Sequence, residues 1–250
     1  MAVQGEIVRI LDNFTELTAE LTAELTAELT ARKKQYEFYR NHLLSFDDDV
    51  PKAGMTKIET LLKTLCPNGV EYKNLKDCCH ILDRERQPIS KEKRKFGPYP
   101  YYGANGIQDY VSDYIFSGSF VLVGEDGSVL TKQGTPVVTW AEGDIWVNNH
   151  AHIISEKGGV FLRYLFHFLQ TVDIREKIHG NIPKLTGEDF KNIKIPVPPL
   201  AVQGEIVKIL DRFDVLCNDI STGLPAEIAA RQRQYEYYRD ELLNFERVTL

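Results

Sequence analysis

Apolar side chains recur every three or four residues in the first part of the chain, from Ile7 to Leu25. This spacing places them along one helix face and predicts a single helix over residues 2–46, roughly 65 Å long. Residues 17–31 repeat the unit Leu-Thr-Ala-Glu, and Ala, Leu and Glu all favour helix. The four-residue unit exceeds the 3.6-residue turn, so the leucine stripe rotates by about 40° per unit. A helix this long needs a partner helix along its length.

The partner is predicted within the same chain, because residues 2–46 return as residues 201–245 without a gap. Roughly 25 of the 45 aligned positions are identical, and the identities concentrate at the two ends of each copy. Gly223–Pro225 replaces Glu24–Thr26 of the first copy, which predicts a kink in the second helix. The chain is therefore expected to read as repeat, middle, repeat. The predicted divisions are a spacer helix over 1–46, a linker over 47–54, a mixed domain over 55–199 and a second, kinked spacer helix over 200–246.

The middle of the chain changes to short strands and short helices. A helix followed by a strand is expected within 56–82, and Glu125–Gly127 is expected to close a hairpin of the Asp-Gly type. The apolar runs predict strands over 110–116, 119–124, 136–141 and 145–154, then a helix over 158–178. Residues 179–184 are expected to form a loop, and residues 188–195 lead to a stop at the prolines of 196–199. The predicted fold class is α+β: one mixed α/β domain flanked by two long helices that pair with each other.

Charge is distributed unevenly along this chain of net charge −6. Residues 55–200 carry a net charge of +1, whereas the flanking segments carry −7. Six basic residues fall within the dozen positions 84–95, and such side chains gain affinity for phosphate by releasing counterions. The candidates for phosphate contact are Arg84, Arg86, Lys91, Lys93, Arg94 and Lys95. The candidates for base or groove contact are Tyr101, Tyr102, Asn105, Gln108, Asn181 and Lys184. Taken alone, the basic stretch fits a solvated loop equally well.

Motifs of catalysis are absent from the sequence, which contains no phosphate-binding loop, nucleophile elbow, HExxH or dinucleotide fingerprint. His150 and His152 alternate on an expected strand, but no third ligand accompanies them at a convincing spacing, so a structural role is favoured over a metal site. Glu125 and Asp126 are explained by a turn. The four cysteines lack paired spacing, which favours reduced thiols in the cytoplasm. No apolar run predicts a membrane span. We expect neither a catalytic site, a metal nor a cofactor.

In combination, these features resemble the specificity subunit of Type I restriction-modification systems. The resemblance covers essentially the whole chain. It rests on the TAEL repeat, the doubled VQGEIV(R/K)ILD(N/R)F, the ends KQYEFYR and RQYEYYR, and PYYGANGIQDYV, GSFVLVGEDGSV, VNNHAHII, GNIPKLT and IPVPPLAVQ between them. It implies a non-catalytic subunit that binds double-stranded DNA through a target-recognition domain and whose two long helices pair as an antiparallel coiled coil. It also implies docking of methyltransferase (modification) subunits, which carry the S-adenosylmethionine site, and of a restriction subunit through the complex.

One departure from the family pattern bears on assembly. A full family member carries two recognition domains, whereas this sequence holds one between two conserved helices. The resemblance therefore implies a half-subunit that forms a homodimer and recognises a split site with two-fold symmetry. The number of four-residue units is then expected to set the gap between half-sites. The alternative interpretation is a coiled-coil scaffold whose central domain binds a protein.

Overall fold

The computed structural model describes residues 2–46, 56–219 and 221–245. The predicted linker over 47–54 lies outside these ranges. The chain divides into two compact units, one formed by its first 39 residues with those from Ile209 onwards, the other by Arg40–Lys208. No helix in the described ranges is both long enough and apolar enough to cross a membrane.

The first unit consists of long helices. These are α1 (Ala2–Leu44), α6 (Leu200–Asn218) and α7 (Leu224–Leu243), of which α1 and α6 extend into the second unit. Aromatic contacts show that α1 runs antiparallel to the second long segment. The first half of α1 contacts α7, and the end of α1 contacts α6. Phe14 contacts Tyr238 with ring centroids 5.6 Å apart, and Tyr39 stacks on Phe213 at 5.4 Å. The Thr15 hydroxyl lies 3.1 Å from that of Tyr235.

Exposure along α1 shows the drift that the four-residue unit predicts. Thr18, Leu25 and Leu29 are partly buried, whereas Leu17 is 64% exposed. The protected positions follow three- and four-residue steps, which track one helix face more closely than a strict four-residue repeat does. Successive units therefore present different side chains to the same face.

The second long segment is interrupted between α6 and α7. Asp219 accepts hydrogen bonds from the amides and hydroxyls of Ser221 and Thr222, which hold its pKa below the ordinary value. A Cβ at Gly223 would lie 2.5 Å from the carbonyl oxygen of Val215, so only glycine fits this turn. Pro225 follows in the first turn of α7, where its missing N–H leaves no hydrogen bond unmade.

The second unit is a mixed α/β domain. Its helices are α2 (Thr56–Leu65), α3 (Leu75–Cys78), α4 (Leu162–Leu169) and α5 (Gly187–Lys191). Its strands are β1 (Tyr72–Asn74), β2 (Cys79–Ile81), β3 (Tyr99–Gly103), β4 (Gly106–Val111), β5 (Phe116–Gly124), β6 (Val138–Val147), β7 (Ala151–Glu156), β8 (Ile178–His179), β9 (Lys184–Leu185) and β10 (Lys194–Pro196). Six strands form one sheet in the order β2-β7-β5-β6-β3-β4, antiparallel except for β3 beside β6. The pairs β1–β10 and β8–β9 form two small ribbons.

The centre of the large sheet is β5, whose residues 120–124 are buried. Its apolar side chains pack with those of β6 and β7 in one core cluster that includes Phe120, Leu122, Ile145 and Ile153. Gly118 pairs with Gly143 across β5 and β6, and both have positive φ. Glycine adopts this conformation at low cost, so both strands can change direction at the same point.

Several predicted elements differ from the structure. The strand expected over 110–116 is not formed, because residues 112–115 connect β4 to β5. The break expected between the strands over 136–141 and 145–154 is also wrong, because β6 is continuous from Val138 to Val147 and β7 begins only at Ala151.

The Asp126-Gly127 pair does not close a two-residue hairpin, because residues 125–137 connect β5 to β6 and Gly127 forms a turn within them. The helix expected over 158–178 is limited to α4, with a 3₁₀ turn at Arg175–Lys177. The apolar residues of 158–178 satisfied the helical period, but Gly158 and Gly159 and the polar stretch after Leu169 favour turns.

Candidate nucleic-acid interface

Three connections meet beside the end of β5 and form what we call the loop cluster. It consists of Glu125–Gly127 after β5, Asn148–His150 between β6 and β7, and Gly180–Pro183 between β8 and β9. Backbone hydrogen bonds join them: Gly127 N–H donates to Pro183 (3.0 Å), Leu185 N–H to Glu125 (2.8 Å) and Glu125 N–H to His150 (2.8 Å). These bonds do not depend on side-chain type, so the three connections are held together whatever residues their tips carry.

The turn between β3 and β4 borders the loop cluster. The Ala104 carbonyl would lie 3.0 Å from a Cβ at Gly124, a close approach that glycine permits. Buried Asn148 donates its side-chain amide to exposed Gln108 (3.1 Å). Its Oδ1 accepts from the amide of His150 (2.8 Å). Asn148 therefore fixes both its own turn and an exposed amide on β4.

The polar side chains of the loop cluster and its border are all groups that form hydrogen bonds. Amides, an imidazole and an ammonium group can donate to or accept from base edges and phosphates. The imidazole of His150 is bonded through Nδ1 to the Asp126 carboxylate. The exposed members are Asn105, Gln108, Asn149, His150, Asn181 and Lys184.

An ion network lies beneath the loop cluster. The Arg86 side chain is only 11% exposed, and Nη1 donates to Glu125 and to the Ala151 carbonyl, both at 2.6 Å. Its Nε donates to the Asp83 carbonyl (2.9 Å), and Lys184 Nζ lies 3.2 Å from Glu125. The network therefore ties the start of the basic stretch to the β5 turn, and the β5 turn to β9.

The second half of the network centres on His152, whose ring stacks on Phe190 with centroids 4.2 Å apart. His152 Nδ1 lies 2.7 Å from the Asp83 carboxylate, and Nε2 lies 3.0 Å from the Leu185 carbonyl. Asp83 also accepts from the amide of Ile153 (3.0 Å). Burial raises the pKa of Asp83, but the hydrogen bond and charge of His152, the charge of Arg86 and the Ile153 amide together lower it below its ordinary value.

Asp83, Glu125 and His152 lie close enough to share a cation. However, Arg86 and Lys184 already place two positive charges against the two carboxylates. Both ring nitrogens of His152 are occupied by protein acceptors. The donor set is thus satisfied within the chain, and the arrangement is that of a structural ion network rather than of an open metal site.

The basic stretch separates into anchors and exposed cations. Arg94 is an anchor: it donates to the Ile89 carbonyl (3.0 Å) and to Asp109 (3.3 Å), and its guanidinium lies 4.2 Å from the centroid of the Tyr101 ring. The pKa of Asp109 is lowered by the backbone amide of Tyr110 and by Arg94. Arg86 is the other anchor, through the ion network. By contrast, Arg84, Lys91, Lys93 and Lys95 are exposed.

Tyr101 and Tyr102 are core residues, 1% and 7% exposed. The Tyr101 hydroxyl accepts from the amide of Ile89 (3.0 Å), and burial raises the pKa of Tyr102. Neither ring offers a face to a base. The expectation that they contact bases came from their position after a basic stretch, which carries no information about which side of β3 they occupy.

The exposed residues of the loop cluster that were not among the predicted contacts include Asn149, His150 and Ile182. Asn149 and His150 belong to the turn after β6, and Ile182 lies at the tip of the β8–β9 ribbon. The sequence carries a signal for each, since Asn-Asn-His before a buried strand is typical of a turn, as is Gly-Asn before Ile-Pro. What the sequence does not show is that these turns meet.

Comparison with known proteins gives consistent results. Residues 67–230 match the family model described as Type I restriction modification DNA specificity domain. A putative type I restriction enzyme specificity subunit of Haemophilus influenzae is 40% identical over 200 residues, which are 78% of this chain and 51% of that protein. A putative type I specificity subunit of Mycoplasma pneumoniae is 30% identical over 251 residues, which are 97% of this chain and 84% of that protein.

The fold agrees with a solved structure. The crystal structure of a Type-I restriction-modification system S subunit from M. genitalium matches 99% of this chain and 62% of its own with a TM-score of 0.69, at 17% identity. The chain spans about half the length of the Haemophilus relative. Because the family model covers more than half of the chain, including the whole loop cluster, the chain belongs to the Type I restriction-modification DNA specificity family.

Proposed function

We propose that this chain is the DNA-recognition subunit of a Type I restriction-modification complex and carries no catalytic site of its own. The observation that carries the proposal is the loop cluster, which lies within the family match and gathers exposed amides and an imidazole from turns far apart in sequence, with Lys184 of β9 beside them. Groups of these types read the donor and acceptor pattern of base edges in the major groove. The loop cluster, with Asn105 and Gln108, is the proposed base-reading surface.

Phosphate contacts fall to the exposed cations in this proposal. Arg84, Lys91, Lys93 and Lys95 combine exposure with positive charge, whereas Arg86 and Arg94 hold the segment in place through their ion pairs. Contacts to phosphate fix register on the duplex without reading sequence, and base contacts supply specificity. We therefore assign the exposed cations to register on the duplex and the base-reading surface to sequence specificity.

Assembly is proposed as a dimer of two such chains. The match covers about half of the Haemophilus relative but 84% of the Mycoplasma relative. One target-recognition domain per chain supplies one half-site, so two copies related by a two-fold axis would recognise a split palindrome. The apolar side chains that α1 exposes, such as Leu17 and Leu21, are available for a second copy. The helices are the proposed spacer between half-sites.

Partners of the proposed complex are the methyltransferase subunits, which hold S-adenosylmethionine, and a restriction subunit that joins through them. The target-recognition domain is proposed to span residues 55–199, flanked by spacer helices over 1–46 and 200–246, in the cytoplasm. This division places all proposed DNA contacts in one domain.

Selection of binding sites tests the proposal. The chain, assembled with its methyltransferase subunits, is incubated with random duplex DNA, and bound molecules are sequenced over several rounds. We expect enrichment of two short half-sites separated by a fixed gap. A folded complex that enriches no sequence would contradict DNA recognition and would favour the protein-binding scaffold.

A further inference from the structure

The tip of the β8–β9 ribbon carries an apolar side chain in an unusual position. Ile182 is 71% exposed and lies between Asn181 and Pro183 in a tight turn. A polar residue at this position would not reduce the stability of the fold. Gly180 begins the turn with φ of +81°, so the backbone reverses sharply before the isoleucine. The isoleucine therefore lies exposed in the four-residue turn that joins β8 to β9.

The C-terminal side of the tip is bonded to the turn after β5. Pro183 accepts from the amide of Gly127, Leu185 donates to Glu125, and Lys184 is ion-paired with Glu125. Glu125 is in turn bonded to buried Arg86. An exposed apolar group on a braced turn keeps its position without packing of its own, and preorganisation of this kind lowers the entropy cost of binding.

The surroundings of Ile182 indicate the chemistry of its ligand. A two-stranded ribbon fits the major groove of B-DNA, where thymine alone presents a methyl group and adenine presents a donor and an acceptor to an amide. Asn181 and Ile182 are adjacent at the tip, with Lys184 on the same ribbon. The Asn181 amide can pair with adenine, the Ile182 side chain can contact a thymine methyl group, and the Lys184 ammonium can contact the DNA backbone.

We propose that Ile182 is a specificity-determining residue that recognises the 5-methyl group of a thymine in the half-site, beside an adenine contact by Asn181. This inference rests on the proposed function, because it requires that the loop cluster faces DNA. It goes beyond it by assigning one base feature to one side chain.

Replacement of thymine by uracil removes only the methyl group and provides the test. Once a half-site has been selected, each thymine is replaced by uracil in turn, and binding of the assembled complex is measured with the wild-type chain and with Ile182→Ala. We expect uracil at one position to weaken wild-type binding about fourfold, the effect of one buried methyl group. The Ile182→Ala complex should bind the two DNAs equally. Leu65→Ala, which removes an exposed apolar side chain from the end of α2, should retain the wild-type preference.

Several outcomes would overturn the inference while leaving the proposed function intact. They are a half-site of G·C pairs alone, equal wild-type binding to thymine and uracil at every position, or a preference that survives in Ile182→Ala. Weaker assembly of Ile182→Ala with the methyltransferase subunits, with DNA preference unchanged, would assign the tip to a protein contact instead. Failure of the wild type to select any motif would refute the proposed function itself. Since Ile182 is largely exposed, thermal unfolding of the variant is expected to match the wild type.

Discussion

Arg84 and Arg86 lie two residues apart, but Arg84 is exposed and Arg86 is bonded within the domain. Their alanine variants therefore form a matched pair. The Arg86 guanidinium makes hydrogen bonds to Glu125, to the Ala151 carbonyl and to the Asp83 carbonyl. Arg84, two residues earlier, is exposed. Arg86→Ala is therefore expected to destabilise the fold, whereas Arg84→Ala is expected to weaken DNA binding only.

The magnitude follows from burial. Removing one partner of a buried ion pair costs about 3–5 kcal/mol, because the other charge stays buried without compensation. Glu125 keeps its pair with Lys184, which is half-exposed, so the lower end of that range applies and we expect about 3 kcal/mol. For a chain of this size, that loss lowers the unfolding temperature by about 6–12 °C. Arg84→Ala should change the free energy of unfolding by less than about 0.5 kcal/mol.

Chemical denaturation followed by circular dichroism measures the free energy of unfolding, and titration of selected DNA measures affinity. We expect Arg86→Ala to lose stability and Arg84→Ala to lose affinity without loss of stability. If Arg86→Ala retained wild-type stability and lost affinity with a reduced salt dependence, Arg86 would be a phosphate contact, as its place in the basic stretch first suggests. The ion network would then not support the loop cluster.

Three further predictions concern phosphate contacts, acid stability and spacing. Replacing Lys91, Lys93 and Lys95 together by alanine should reduce the slope of log affinity against log salt by about 2–3, measured by titration at several salt concentrations; an unchanged slope would place these lysines away from DNA. The lowered pKa of Asp83 stabilises the fold above the unfolded pKa of about 3.8, so that contribution should be lost as pH falls further. Denaturation across pH should show this loss in the wild type and a flatter profile in Asp83→Asn. Deleting the unit Thr22–Leu25 should alter the gap between half-sites by on the order of one to two base pairs and leave the half-site bases unchanged, as read by site selection.

The sequence predicts the long helix and the mixed domain because both follow from local pattern. In α1 the spacing of apolar residues and the helix-forming unit agree, and the helix runs from Ala2 to Leu44 as one element. The buried strand β5 was recognisable from Ser119–Gly124, although it begins earlier, at Phe116. Where the spacing of apolar residues and the residue composition favour the same secondary structure, the element can be predicted from the sequence alone.

The site was harder to predict, because its residues are brought together by strand order rather than by sequence. Glu125, His152 and Lys184 meet only because β5 pairs with β7 and the β8–β9 ribbon bonds to the β5 turn. Charge alone could not separate buried Arg86 from exposed Arg84, since both sit beside acidic residues in the same short segment. Residue type indicated the chemistry of the domain, but only the pairing of strands assigns each side chain to the interior or the surface.

The pattern of methylation tests the central claim most directly. DNA of diverse sequence is incubated with S-adenosylmethionine, the methyltransferase subunits and this chain, and the modified positions are mapped by sequencing. We expect methylation at two half-sites that are inverted repeats of each other across a fixed gap, and none when this chain is omitted. Methylation at an uninterrupted or asymmetric site, or the same pattern without the chain, would contradict the account.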